Sequence, residues 1–159
     1  MGGSKPDTLI REKGDAAVVE HTFWIIQIPG WLLFVYLAIA QCVAAFDYQL
    51  GVDMGTQEPP EHITSVGVAF FKGFAFADLV FYTPLLGIGL VAQALQASWA
   101  VLALGAALGI TVYWPITCLA TVYSARGIPG WSLPKEWQFW IVLPVIALWG
   151  LAGLVLLGL

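Results

Sequence analysis

The chain has 159 residues, 60% of them hydrophobic and 10% charged, with a formal charge of −4 and a mean hydropathy of +0.85. That balance excludes a water-soluble domain, whose surface needs more charge. With six Lys and Arg in all, it also excludes a phosphate-neutralising nucleic-acid face and a polybasic patch for anionic lipid.

A chain this short makes one domain. The expected fold is an all-α integral membrane protein with four transmembrane helices in an up-down bundle, preceded by a polar segment over residues 1–22. In that segment Lys5, Arg11 and Lys13 alternate with Asp7, Glu12, Asp15 and Glu20, which reads as a surface stretch. Asp15 is the predicted N-cap of the following helix. The Met-Gly start is no myristoylation signal, because Pro6 stands where Ser or Thr is required.

Residues 23–46 form the first predicted span, since about 20 apolar residues cross the hydrocarbon and this run carries no charge. Val43-Ala44-Ala45 resembles a signal-peptidase site, but the apolar run is too long for a signal peptide. Residues 47–65 form the longest loop, with Asp47, Asp53, Glu58 and Glu61, the stiffening pair Pro59-Pro60, and no Lys or Arg. Its spacing fits neither an EF-hand loop nor a zinc pattern, so the expectation is a solvated acidic loop.

The second span, residues 66–92, is interrupted by Lys72, read as snorkelling to the interface, and by Asp78. A tight uncharged turn over 93–98 joins it to the third span, residues 99–124, as an antiparallel hairpin. Trp99 is an interfacial anchor, and Gly105-xxx-Gly109 offers a close-packing face. The segment from Arg126 to Trp137 mixes turn residues, Arg126 and Lys135 with the anchors Trp131 and Trp137, before a last span over 137–159. Four crossings put both termini on one side. Three basic residues before the first span against Arg126 and Lys135 opposite favour termini inside by a thin margin, in a plasma (inner) membrane.

Each span holds an interior proline: Pro29, Pro84, Pro115 and Pro144. A proline frees the carbonyl four residues back and bends the helix, which membrane helices tolerate when neighbours satisfy that group. The expected bundle is therefore built of proline-bent helices that splay at one end.

Depth along the spans gathers a polar cluster of Gln41, Asp78, Tyr82, Tyr113 and Thr117 in the half facing the acidic loop, with Cys42 and Cys118 at similar depth. Asp78 and Tyr82, four residues apart, share a helical face with Phe71, Phe74, Phe81 and Leu85. A buried carboxylate in lipid marks either a hydrogen-bonded structural contact or a site, and both readings stand. Its depth depends on where the span begins: near the midplane for a crossing over 66–86, or roughly 8 Å inside the interface for one over 73–92.

No Cys/His cluster, catalytic triad or nucleotide loop is present, and His21 and His62 lie at opposite ends of the first crossing, which disfavours haem or a di-metal site. Cys42 and Cys118 read as small packing residues, with a disulfide between them as the alternative. The expected function is a non-catalytic membrane subunit of a larger electron-transfer, photosynthetic or transport complex. It would lie among lipid and other membrane subunits, with no cofactor predicted and with surfaces suited to bound lipid or pigment. The alternative is a small transporter or membrane enzyme with a small-molecule site around Asp78 and Tyr82.

Overall fold

The computed structural model describes the backbone of residues 5–158 and the side chains of residues 22–158; the side chains of Lys5, Arg11, Lys13, Asp15 and His21 lie outside the described residues. Helix α1, Lys5–Phe46, runs without interruption through the polar segment into the first apolar stretch. Asp15 is thus inside a helix, not at its start. No strand forms among the described residues, and four helical stretches are long and apolar enough to cross a membrane: Thr22–Phe46, Pro60–Ala94, Ala100–Ser124 and Glu136–Leu156.

The acidic loop is folded. Asp47 accepts from the Leu50 N–H at 3.1 Å and caps a short helix α2, Tyr48–Asp53. The Gly51 carbonyl then takes three donors, Thr56 N at 2.9 Å, Gln57 N at 3.1 Å and the Thr56 hydroxyl at 3.1 Å. Tyr48 is buried and donates to the Glu58 carbonyl at 3.0 Å. Burial, with Glu58 adding to it, pushes the Tyr48 phenol up to about 12, so it stays a donor at neutral pH. Asp47, Asp53 and Glu61 do face solvent, whereas Glu58 is turned partly inward.

Helix α3, Pro60–Ala77, contains a break at Thr64, whose φ of 66° and ψ of 166° belong to a region that favours glycine. Thr64 starts the long straight segment by accepting from the Gly67 N–H at 3.3 Å. The loop after the third apolar helix holds it there. Ser132 N donates to the His62 carbonyl at 2.7 Å, and Ile63 pairs antiparallel with Trp131. Trp131 therefore packs on the start of α3, while Trp99 and Trp137 are 50% and 61% exposed.

Between α3 and α4, Thr83–Ala94, the stretch Asp78–Tyr82 forms a π-helical turn. The Thr83 N–H bonds the Asp78 carbonyl, five residues back. Pro84 accounts for it: its ring would press on the carbonyl of Val80 in a regular helix, and widening the preceding turn relieves that contact. Helix α4 ends in a turn with Gln96 at φ 55° and Ala97 N bonded to the Ala92 carbonyl at 2.9 Å, the geometry of a left-handed helix cap. Helix α5, Ala100–Ser124, follows, then α6, Glu136–Leu156. Arg126 joins their ends: its guanidinium bonds Glu136, which also accepts from the Trp140 indole at 2.8 Å, and it lies 5.4 Å from the ring centroids of Tyr123 and Trp140.

Close helix approach is made at Gly89, Gly150 and Gly153, and not at Gly109 of the expected pair. A Cβ on Gly89 would come within 3.1 Å of the Leu104 backbone N, one on Gly150 within 3.1 Å of Val112, and one on Gly153 within 2.8 Å of Leu108, whereas one on Gly109 would meet nothing within 4 Å. Gly89 and Gly150 substitutions to Leu are therefore expected to destabilise the protein by about 1–3 kcal/mol through overpacking. Gly109→Ala should leave stability unchanged or raise it, by up to about 1 kcal/mol of helix propensity. Thermal unfolding of the three variants in one detergent checks the ranking.

Candidate functional site

The wide turn sets the inner face of the second apolar stretch. Asp78 is 7% exposed and Tyr82 1%, while Phe81, expected beside them, is 63% exposed. Gln41 on α1 donates to Asp78 Oδ2 at 2.8 Å. No other donor reaches the Asp78 carboxylate among the described residues. Gln41 lies five residues before the end of α1, so the pair sits about 8 Å inside that end of the bundle, at 1.5 Å per residue.

Tyr82 does not bond Asp78. Its hydroxyl lies 2.6 Å from Thr111 Oγ1, and the Thr111 hydroxyl donates to the Ala107 carbonyl at 2.8 Å. Because the threonine proton is committed to Ala107, the tyrosine is the donor, and the bond locks α4 and α5 together in a dry contact. Tyr113 and Thr117 stay outside this network. Tyr113 is 65% exposed, and Thr117 bonds the Tyr113 carbonyl of its own helix at 3.1 Å.

Above the Gln41–Asp78 contact lies a cavity of about 500 Å³. Asp78 and Gln41 border it on one side, with Trp114 and Cys118 from α5 opposite. Phe71 and Phe74 of α3 and Tyr36 of α1 make aromatic walls, Phe139 and Ile146 of α6 close the flank, and residues 55–58 of the folded loop roof it. The Trp114 indole lies near the Tyr82 hydroxyl, but its N–H has no partner at hydrogen-bond distance among the described residues. Cys118 and Cys42 are free thiols, the second exposed on the outside. No group of three or more metal-ligating side chains occurs among the described residues.

At the opposite end, Gln27 forms a network that sequence reading passed over. It is 4% exposed, and its amide donates to the Leu90 carbonyl at 3.0 Å and to Gln93 at 2.9 Å while accepting from the Trp31 indole at 2.9 Å. Near it the Trp149 indole of α6 donates to the Ile25 carbonyl of α1 at 3.0 Å, the carbonyl that Pro29 leaves without its helical partner. An interior glutamine four residues before a tryptophan, and a tryptophan late in the last span, were the available signals.

The fold and site define a helical protein with four apolar, membrane-length helices and an aromatic cavity floored by one carboxylate. Comparison of the chain with protein-family models, characterised proteins and solved structures returns no match.

Two substitutions separate the contacts by kind. Trp149→Phe leaves the Ile25 carbonyl unpaired and is expected to lower stability by about 1–3 kcal/mol. Tyr82→Phe removes a donor but leaves the Thr111 proton on Ala107, and should lower it by about 0.6 kcal/mol, as interhelical bonds of this kind do. Thermal or denaturant unfolding in one detergent, with far-UV dichroism to confirm helix content, measures both.

Proposed function

We propose that the chain is an integral membrane protein that binds, and in the membrane transfers, a small organic molecule held in the cavity at Asp78. The observation that carries this reading is the cavity itself. Its volume of about 500 Å³ falls within the range of small-molecule sites, and its largely apolar wall, which includes Tyr36, Phe71, Phe74, Trp114 and Phe139 with a few convergent polar groups, has their composition. A carboxylate held there by one neutral amide is a recognition element, and the Cys118 thiol on the same cavity makes no hydrogen bond to it among the described residues, which favours binding over catalysis. The four apolar helices support an up-down membrane bundle. The contact between the loops on either side of His62 and Ser132 supports placing both loops at one end, which leaves the termini with the 95–99 turn at the other. Charge bias favours the termini inside, in a plasma membrane.

Ile146→Trp, which fills the cavity from α6, tests the reading. In a thermal-shift screen of small amphipaths against the purified protein, at least one compound should stabilise the wild type, as any ligand selective for the folded state does. That stabilisation should disappear in Ile146→Trp. A compound that stabilises both equally, or a screen without a ligand, would sink the proposal. An absorption spectrum of material from native membrane tells a pigment from a colourless occupant.

A second reading, a non-catalytic subunit of a larger membrane complex, draws on Tyr113. Its hydroxyl projects outward near the middle of α5, on the face where Gly109 leaves open space, and it has no partner among the described residues. A phenol facing lipid at that depth is satisfied by a neighbouring polar helix. Purification in mild detergent should then retain a second membrane protein that Tyr113→Phe releases; co-purification unaltered by Tyr113→Phe would argue against this interface.

A further inference from the structure

The cavity is charged with one sign. Asp78 lies at its floor and Glu58 at its mouth, and neither Lys nor Arg borders it. Glu58 is within 3.7 Å of the His62 imidazole at the solvent side. Asp78 has no such neighbour: Gln41 fills its Oδ2, and Oδ1 receives no donor among the described residues. An Asp that is 7% exposed, with one oxygen open to a cavity and without a donor, presents a carboxyl that the surrounding side chains leave without a counter-charge.

The walls answer to the same sign. Tyr36, Phe71, Phe74, Trp114 and Phe139 present aromatic rings to the cavity, and ring faces attract cations, quaternary ammonium groups above all. An anion would meet two carboxylates. A neutral guest would leave Asp78 without a counter-charge. A metal ion finds too few ligands, since no three metal-ligating side chains come together among the described residues.

We infer that the occupant of the cavity is a lipophilic organic monocation, an ammonium on an apolar body, with its nitrogen at Asp78 and its body against Phe71, Phe74 and Trp114. Glu58 attracts it at the mouth, and Gln41 orients the Asp78 carboxylate without neutralising it. The inference rests on the cavity being a binding site, and names what that site selects.

The test uses three probes of matched shape: a phenylalkyl trimethylammonium, its tert-butyl isostere lacking the charge, and the corresponding carboxylate. Binding is measured calorimetrically to the protein in phosphatidylglycerol nanodiscs, with empty discs subtracted. The wild type should bind the ammonium at least tenfold more tightly than the isostere and the carboxylate not detectably. Asp78→Asn should remove the difference between ammonium and isostere, and Ile146→Trp should abolish both. Equal binding of ammonium and isostere by the wild type, lost in Ile146→Trp, would overturn the cation assignment while leaving a binding cavity. Absence of binding by all three, or binding that survives in Ile146→Trp, would overturn both. The wild-type comparison needs no variant, so it decides the matter even if Asp78→Asn fails to fold. Repeating it in phosphatidylethanolamine discs distinguishes the source: weaker ammonium binding there identifies the lipid headgroup's own ammonium as the occupant, and unchanged binding a free amine, the assignment of a cation holding in either case.

Discussion

The constraint on which the structure depends is that backbone groups in apolar surroundings must find partners within the protein. Prolines break that rule at four places in the sequence, and two of the breaks organise the fold. Pro29 frees the Ile25 carbonyl, and Trp149 takes it, fastening the last helix to the first. Pro84 is accommodated by the wide turn over Asp78–Tyr82, in which Thr83 bonds back to Asp78. Had that turn stayed regular, the residues after Asp78 would present a different face, and Tyr82 would not reach Thr111 at 2.6 Å. The same local distortion therefore sets both the dry α4–α5 contact and the floor of the cavity.

Why the cavity lies where it does follows from the distribution of side-chain volume along the bundle. Toward the 95–99 turn, glycines let the backbones close: Gly89 against Leu104, Gly150 against Thr111 and Val112, Gly153 against Leu108. Toward the folded loop Phe71, Phe74, Trp114 and Phe139 stand between the helices, and Gly73 of α3 faces open space. Helices that touch at one end and carry aromatic rings at the other cannot fill the space between them to interior density, and the void left is lined by those rings. The loop then covers it, held by the Gly51 carbonyl and the buried Tyr48.

Much of this was legible in the sequence because hydropathy and charge act over long windows. The apolar stretches, the hairpin at 93–98 and the shared depth of Gln41 and Asp78 follow from rise per residue and chain direction alone. What sequence could not register depends on phase and on partners. A π-turn has no residue signature that separates it from an α-turn, so regular helical spacing puts Phe81 on the inner face, and on α5 depth alone selects Thr117 where the contact is made by Thr111. Gln27 is uncharged and disappears into an apolar average, although it holds α1 to α4 through Leu90 and Gln93. The acidic loop was read from its charges, whereas its fold is decided by Tyr48 and Gly51.

The choice of glutamine beside Asp78 bears on what the site does. An Arg or Lys at position 41 would pair with the carboxylate, cancel its charge and give a closed internal ion pair, whose desolvation its own attraction barely offsets. Gln41 fixes one oxygen by a hydrogen bond of 2.8 Å and, being neutral, brings no positive charge to it. A purely structural carboxyl would be better served by donors on both oxygens, as buried polar groups ordinarily are. Asp78 is instead held on one side and open on the other, at the floor of the one aromatic cavity it borders. The arrangement holds the carboxyl in one orientation without pairing it to a cation among the described residues.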